Sequence, residues 1–426
     1  MLYPITRPLV AIALRVYYPK IFISHADRIP TGQPVILAAN HPTAFVEPCV
    51  LACFLDRPLY FLVRGDLFRK DFYASLLRDL HMLPVYRLRD GGISGIRKNY
   101  STFEACYEAL AEQKTLMILA EGRTRQEKRL HPLKKGTARI ALGTLAEKEV
   151  ADVAIVPVGV NFTQADRFRS EVMIDFGRPI SAAEYLPGYR ENRNRAIEEL
   201  TEDLAGRMRE RIVSIERSED EELTEQMLIL LRNQDPDSRF PVVENSFDRL
   251  RREIDLADRI NRMGGENRQK LEQLAAIYFR RLKELGLTDR VVASESGPSV
   301  GGILAVLLGL IPFLAGLITN VIPAGISRRI VDTQVRQREF YSPVLMGMGA
   351  GIYIVYLFTL VILAIVFGKA WFWLVVIATP FLGVFALYYR EWALEQVGKW
   401  RYGRLDPDKR EDLHRRRREL IRRIGI

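Results

Sequence analysis

Asn40-His41-Pro42-Thr43-Ala44-Phe45-Val46-Glu47-Pro48 and Ala120-Glu121-Gly122-Arg123-Thr124-Arg125 decide how this chain is read. The second stretch runs on to His131-Pro132-Leu133-Lys134-Lys135-Gly136-Thr137. Each motif follows a short apolar run, residues 34–39 and 115–120, with the length and composition of a buried strand. A histidine with a nearby carboxylate and a Glu-Gly-Arg loop therefore leave the same edge of one sheet. Together they supply a general base and an anion site, which suits acyl transfer to a phosphorylated alcohol.

Working outward, further strands are expected at 59–63, 83–86, 154–160 and 171–176, with helices at 97–113 and 134–148. Alternating strands and helices give an α/β domain, placed at 26–185. Ahead of it, residues 1–25 are apolar but interrupted by Arg7, Arg15 and Lys20. That pattern is too charged to span a bilayer and reads as an interfacial amphipathic segment with snorkelling basic side chains. Residues 186–297 are rich in Glu, Arg, Lys and Leu at helical spacing, as in 193–215, 247–263 and 267–285, and form a charged helical subdomain. Their charge runs read as solvated faces.

Residues 298–389 are membrane-like. Segments 343–367 and 370–389 are each long enough to cross a bilayer, and only Gly368-Lys369 separates them, so a spanning hairpin is expected. The earlier run, 300–322, carries Pro312 among Gly301, Gly302, Gly309 and Gly316. Arg328, Arg329, Arg336 and Arg338 follow it, and residues 390–426 hold 12 Lys/Arg against 7 Asp/Glu, including Arg415 to Arg418. The positive-inside rule puts both basic stretches in the cytoplasm. Segment 300–322 is therefore expected to re-enter at Pro312, leaving 390–426 as a basic cytoplasmic tail.

The 426 residues allow two or three domains, and 62 basic against 52 acidic residues give a net charge of +10. Such a balance favours an anionic partner, with anionic membrane lipid a simpler account of the tail than nucleic acid. Cys49, Cys53 and Cys106 make neither a disulfide framework nor a metal motif. No cleavable signal peptide is read at the N-terminus. An integral membrane protein with its catalytic domain facing the cytoplasm is expected, in the cytoplasmic membrane if the source is bacterial.

Acyl transfer from a thioester needs a base for the acceptor hydroxyl, a partner that holds the base in the right tautomer, and an anchor for the acceptor's anionic group. His41 is the histidine beside an orienting acid in a strand-exit loop, and imidazole is the usual base near neutral pH. Glu47 can accept from the other ring nitrogen and stabilise the imidazolium. Gly122 permits close backbone approach, and Arg123 can grip phosphate bidentately. Arg125, Lys128, Arg129, Lys134 and Lys135 surround it with positive charge.

Four ordered blocks resemble the glycerolipid acyltransferase superfamily, the glycerol-3-phosphate and lysophosphatidate acyltransferases. They are Asn40-His41-Pro42 through Glu47-Pro48, Leu83-Pro84-Val85-Tyr86-Arg87, Glu121-Gly122-Arg123-Thr124-Arg125, and Val156-Pro157-Val158-Gly159-Val160. The resemblance covers about residues 20–180 and is greatest to the branch containing the yeast glycerol-3-phosphate/dihydroxyacetone-phosphate acyltransferases. It implies a glycerolipid-acyltransferase-like α/β domain in which His41 is the base and Glu47 orients it. It also implies a phosphate site shaped by Arg87, Glu121, Gly122 and Arg123, assisted by Thr124 and Arg125, and an acyl-donor site to which Pro157 contributes from a strand end. No metal or bound cofactor is implied; acyl-CoA or acyl carrier protein is a co-substrate. The family's common motif has Asp where this chain has Val46, and the acid comes one residue later. The implied acceptor is glycerol 3-phosphate or dihydroxyacetone phosphate, with lysophosphatidate or another lysophospholipid as the alternative. The change at Val46 also leaves a catalytically weak lipid-binding scaffold as a reading of a different class.

Overall fold

The computed structural model describes residues 2–85, 103–295, 297 and 299–425. The chain divides into two compact units. The first comprises 1–214, 239–254 and 336–346; the second comprises 215–238, 255–335 and 347–426.

In the first unit the described strands are β1 (Ile21–Ser24), β2 (Val35–Ala39), β3 (Leu59–Arg64), β4 (Met82–Val85), β5 (Thr115–Leu119), β6 (Ala154–Phe162), β7 (Val172–Phe176), β8 (Ile180–Ser181) and β9 (Val243–Glu244). They form one sheet in the order β4-β3-β5-β2-β6-β7-β1-β9, with β8 beside β6. Strands β4, β3, β5, β2 and β6 run parallel, and β7 turns antiparallel to β6. Helices α1 (Tyr3–Tyr17), α2 (Val46–Phe54), α3 (Asp71–Asp79), α4 (103–111), α5 (Gly136–Glu147), α6 (Leu186–Glu191) and α7 (Arg193–Arg209) accompany the sheet.

Side-chain alternation along β2 explains the layering. Val35, Leu37 and Ala39 join an apolar cluster with Leu14 and Tyr17 of α1 and Val46, Val50 and Leu51 of α2. Ile36 and Ala38 point the other way, into a cluster with Leu110 of α4, Ala141 and Leu142 of α5, and Leu200 and Leu204 of α7. Both faces of the central strands are covered, which is why they read as continuous apolar runs rather than alternating ones.

Several sequence expectations are redrawn. Ile21-Phe22-Ile23, assigned to an interfacial segment, is the buried strand β1, paired with β7 and β9. Only α1 has the amphipathic form, with Ala11, Leu14 and Tyr17 buried and Ile5, Leu9 and Ile12 exposed. Helix α7, placed in the helical subdomain, packs its apolar face on the sheet instead. Of the helix expected at 97–113, residues 97–102 lie outside the described residues, as does Tyr86 of the 83–86 strand.

The second unit is helical. It contains α8 (Glu221–Gln234), the second half of α9 (Asp248–Asn261), α10 (Gly265–Leu285), α11 (Asp289–Ala293), α12 (Val300–Gln334), most of α13 (Tyr341–Phe367), α14 (Ala370–Gly403) and α15 (Pro407–Ile424). Among the described residues, three helical stretches are long and apolar enough to cross a membrane: α12, Arg338–Phe367 and α14. Helix α12 is unbroken over 35 residues, with Pro312 and Pro323 inside it. The bend at Pro312 required for a re-entrant 300–322 is therefore absent; each proline costs one backbone donor without ending the helix.

Glycines let α12 and α14 approach closely. Gly302, Gly309 and Gly316 recur every seventh residue on one face of α12. A Cβ at Gly316 would lie 2.3 Å from the Leu382 carbonyl oxygen. Small residues at such a face allow backbone-to-backbone packing in an apolar medium. Asn320 adds a polar tie, donating to the Thr379 carbonyl at 3.2 Å and accepting from the Tyr353 hydroxyl at 2.9 Å. Helix α14 continues to Gly403, so the first part of the expected tail is helix. Within α15, Arg417 turns inward to Asp289 at 3.0 Å, whose carboxylate also accepts from Tyr278 at 2.6 Å and Asn233 at 2.9 Å. Arg415 and Arg418 stay exposed.

Candidate active site

Neighbouring parallel strands place the two motifs. Ala39 at the end of β2 pairs with Leu119 at the end of β5 on one side and Val158 of β6 on the other. The ladder continues one step further, the Ala120 N–H donating to the Ala39 carbonyl at 2.9 Å. His41 and Glu121 thus emerge side by side at the carboxyl edge of the sheet.

Asn40 fixes the exit from β2. Its amide donates to the Val160 carbonyl at 2.8 Å and accepts from the Val160 N–H at 2.7 Å. His41 is then held through its own backbone. Its N–H donates to Glu121 Oε2 at 3.4 Å, and its carbonyl accepts from the Arg125 N–H at 3.1 Å. The His41 side chain is 11% exposed. Its Nε2 lies 2.8 Å from Thr124 Oγ1, while Nδ1 is buried without a hydrogen-bond partner.

Glu47 is fully buried, with Oε1 3.7 Å from His41 Nδ1. That is beyond hydrogen-bond distance, so the carboxylate faces the ring as a charge. Its oxygens accept instead from the Thr43 N–H at 2.6 Å and the Thr43 hydroxyl at 2.9 Å. The same hydroxyl accepts from the Val46 N–H at 3.1 Å, satisfying the first backbone donor of α2. An acid in the first turn is also favoured by the helix dipole. The displaced acid has a geometric cause here. Val46 is buried in the apolar cluster beneath α2, where a carboxylate would be unpaired, whereas position 47 is about 100° further round the helix and faces Thr43 and His41.

Glu121 is only 4% exposed, and it does not point outward to a ligand. Its second oxygen accepts from the His131 N–H at 3.1 Å, so the carboxylate ties the β2 exit to the segment leading into α5. Burial pushes its carboxyl above the ordinary range, and the hydrogen bonds from His131 and His41 oppose that. Gly122 adopts a left-handed φ of +64°, and a Cβ there would lie 2.9 Å from Lys134 Cγ. Glycine is required by this turn rather than only by approach to a ligand.

Arg123 and Arg125 are both exposed beside this loop. The Arg125 guanidinium also reaches His131 Nδ1 at 3.4 Å. Burial, with Arg125 and Arg129 nearby, pushes the His131 imidazole down against the opposing pull of Glu127. Arg87 lies outside the described residues. Pro157 is a correction: it is buried in the middle of β6, opposite Ala38, rather than at a strand end. Its carbonyl accepts from the Gly177 N–H at 2.8 Å. The missing proline N–H falls on that same side, between the stretches of β6 that pair with β8 and β7, where no ladder bond is required.

Three contributors went unassigned in the sequence: Thr43, the Asn40 side chain and Glu339. The Glu339 carbonyl accepts from the Ala44 N–H at 3.1 Å, bringing residues 336–346 onto the loop that follows His41. Arg338 pairs with Asp166 at 3.4 Å, and Met346 enters the cluster under α2. Thr43 stands in the quoted motif without a pattern that marks its role; Glu339 carried no signal either, because its contact is made by a backbone carbonyl.

Residues 20–161 match the family model named Acyltransferase. Glycerol-3-phosphate O-acyltransferase 1 of Saccharomyces cerevisiae is 32% identical over 155 residues, covering 34% of this chain and 20% of that protein. Glycerol-3-phosphate O-acyltransferase 2 of the same yeast is 33% identical over 82 residues, covering 19% of this chain and 11% of its own length. An uncharacterized acyltransferase of Schizosaccharomyces pombe is 24% identical over 271 residues, covering 44% and 40%. The chain thus spans less than half the length of these relatives. A crystal structure of the 1-acyl-sn-glycerophosphate acyltransferase PlsC from Thermotoga maritima aligns with a TM-score of 0.32 and 16% identity, over 45% of this chain and 78% of that one.

Proposed function

We propose, on the premise that residues 20–161 belong to the acyltransferase family, that this protein is a membrane-bound O-acyltransferase acting on glycerol 3-phosphate or dihydroxyacetone phosphate. The observation that carries the reading is the environment of His41: Nδ1 is buried against the Glu47 carboxylate, and Nε2 faces the Glu-Gly-Arg-Thr-Arg loop with its two exposed arginines. In this reading His41 Nε2 takes the proton from the acceptor hydroxyl as its oxygen attacks the thioester carbonyl. The C–S bond then breaks, and the imidazolium returns the proton to the leaving thiolate. Glu47 stabilises the imidazolium through space. Arg123 and Arg125 attract the acceptor phosphate, and Glu121 shapes the loop that presents them.

The donor is an acyl thioester, of coenzyme A or of acyl carrier protein. Helices α12 to α14 hold the protein at the membrane where the lipid product belongs, with the catalytic domain on the cytoplasmic face. Exposed arginines such as Arg415 and Arg418 suit an anionic lipid surface. The test is thiol release from palmitoyl-CoA by the detergent-solubilised full chain, with glycerol 3-phosphate and lysophosphatidate offered separately. Turnover with glycerol 3-phosphate that His41→Ala abolishes supports the reading. Turnover with lysophosphatidate alone reassigns the acceptor. Silence with both acceptors, and with acyl carrier protein as donor, refutes it.

A further inference from the structure

We propose that Thr124 is a positioning residue for His41, its hydroxyl occupying in the resting site the place that the acceptor hydroxyl takes during transfer. The inference deepens the acyl-transfer reading and rests on it. Nδ1 of His41 is buried, and the facing Glu47 oxygens already accept from Thr43, so no substrate reaches that nitrogen. Nε2 is therefore the nitrogen available for proton transfer. Thr124 Oγ1 stands 2.8 Å from it, the separation a reacting hydroxyl needs.

A threonine hydroxyl rotates to suit its partner. Donating to Nε2, it leaves the ring proton on Nδ1, beside the Glu47 carboxylate. That tautomer is the one whose Nε2 lone pair can act as base. The same loop fixes the His41 carbonyl through the Arg125 N–H at 3.1 Å, so one short segment sets both the backbone and the ring. Arg123 and Arg125 flank Thr124, and an acceptor phosphate drawn to them brings its own hydroxyl to where Thr124 stands.

This role differs measurably from a phosphate contact. A lost phosphate contact raises the acceptor KM, whereas a lost positioning group lowers kcat. In the full-length protein, Thr124→Val is expected to lower kcat about tenfold, the scale on which one lost hydrogen bond shifts the population of the competent His41 tautomer, without raising the acceptor KM. Thr124→Ser, which keeps the hydroxyl, restores most of the loss. A second readout needs no turnover: imidazole 15N shifts in histidine-labelled protein, with the His41 signal identified by its absence in His41→Gln. The wild type is expected to show the Nδ1–H tautomer, and Thr124→Val a mixture.

A raised acceptor KM at unchanged kcat would overturn the proposal in favour of a phosphate contact. An Nε2–H tautomer in the wild type would overturn it too, as would an acyl group found on Thr124 by intact-mass measurement without acceptor, which would make Thr124 a nucleophile. If no acceptor is turned over, the acyl-transfer reading fails, and the tautomer measurement still decides the Thr124–His41 contact.

Discussion

Glu47→Gln separates two roles for a carboxylate that both holds Thr43 and faces a base. Glutamine keeps the shape: its carbonyl can accept from the Thr43 N–H, and its amide can donate to the Thr43 hydroxyl, replacing the bonds of 2.6 and 2.9 Å. What it removes is the negative charge 3.7 Å from His41 Nδ1. At that separation the attraction to an imidazolium is about 1 kcal/mol under water-like screening and about 4 kcal/mol under the screening typical near a protein surface. With about 1.4 kcal/mol per tenfold in rate, kcat should fall by about 5-fold to about 10³-fold. Because the bonds to Thr43 survive, thermal unfolding should shift little. The assay is thiol release at saturating acceptor, beside a melting curve of the same preparation. A kcat within twofold of wild type would refute the electrostatic role and leave Glu47 only its bonds to Thr43. A large fall in melting temperature with matching loss of activity would refute the assumption that glutamine preserves the local fold.

Asn40→Ala removes both buried bonds to Val160 and strands its backbone groups, so about 2–5 kcal/mol of stability should be lost, measurable by denaturant unfolding; a cost below about 1 kcal/mol would contradict the geometry. Glu121→Gln should flatten the dependence of stability on pH. The folded carboxyl titrates above its ordinary value, so the native state binds more protons than the unfolded state between the two, and wild-type stability falls as pH rises through that window. Melting curves from pH 4 upward that run parallel for both proteins would reject this. Gln337→Cys, exposed in the segment that packs on the Ala44 loop, should label from the same face of the membrane as Arg139→Cys in the catalytic unit; labelling from opposite faces would mean that the Glu339 contact does not exist in the bilayer.

What the sequence made legible was set by local patterns. Strands β2, β5, β6 and β7 lie within a few residues of the apolar runs that announced them, because strands buried on both faces must be continuously apolar. Strand β1 was hidden by its neighbours: Ile21-Phe22-Ile23 follows an amphipathic helix and reads as its continuation until β7 and β9 are there to pair with it. The unbroken α12 was misread because proline and glycine suggest a bend, whereas the glycines serve close packing on α14. At the site, His41 and Glu121 were visible as residue types, but their partners were not. A sequence does not show that Glu121 spends its oxygens on two backbone N–H groups, or that Thr124 faces Nε2.

The position of the base is determined less by its own loop than by strands β5 and β6. Asn40 is locked to β6, the His41 N–H and carbonyl are held by the loop after β5, and the ring meets Thr124 from that same loop. All of these contacts presuppose the register that sets Ala39 against Leu119 and Val158. A slip of one residue would turn Leu37 and Ala39 toward the layer now filled by Ile36 and Ala38, exchanging the two apolar clusters while carrying Asn40 away from Val160. Packing that prevents the slip is therefore also what keeps the imidazole in reach of a substrate. An enlarged side chain at Ala38, completely buried in the cluster it shares with α4, α5 and α7, should consequently depress turnover out of proportion to its effect on stability, since the displaced strand end carries His41.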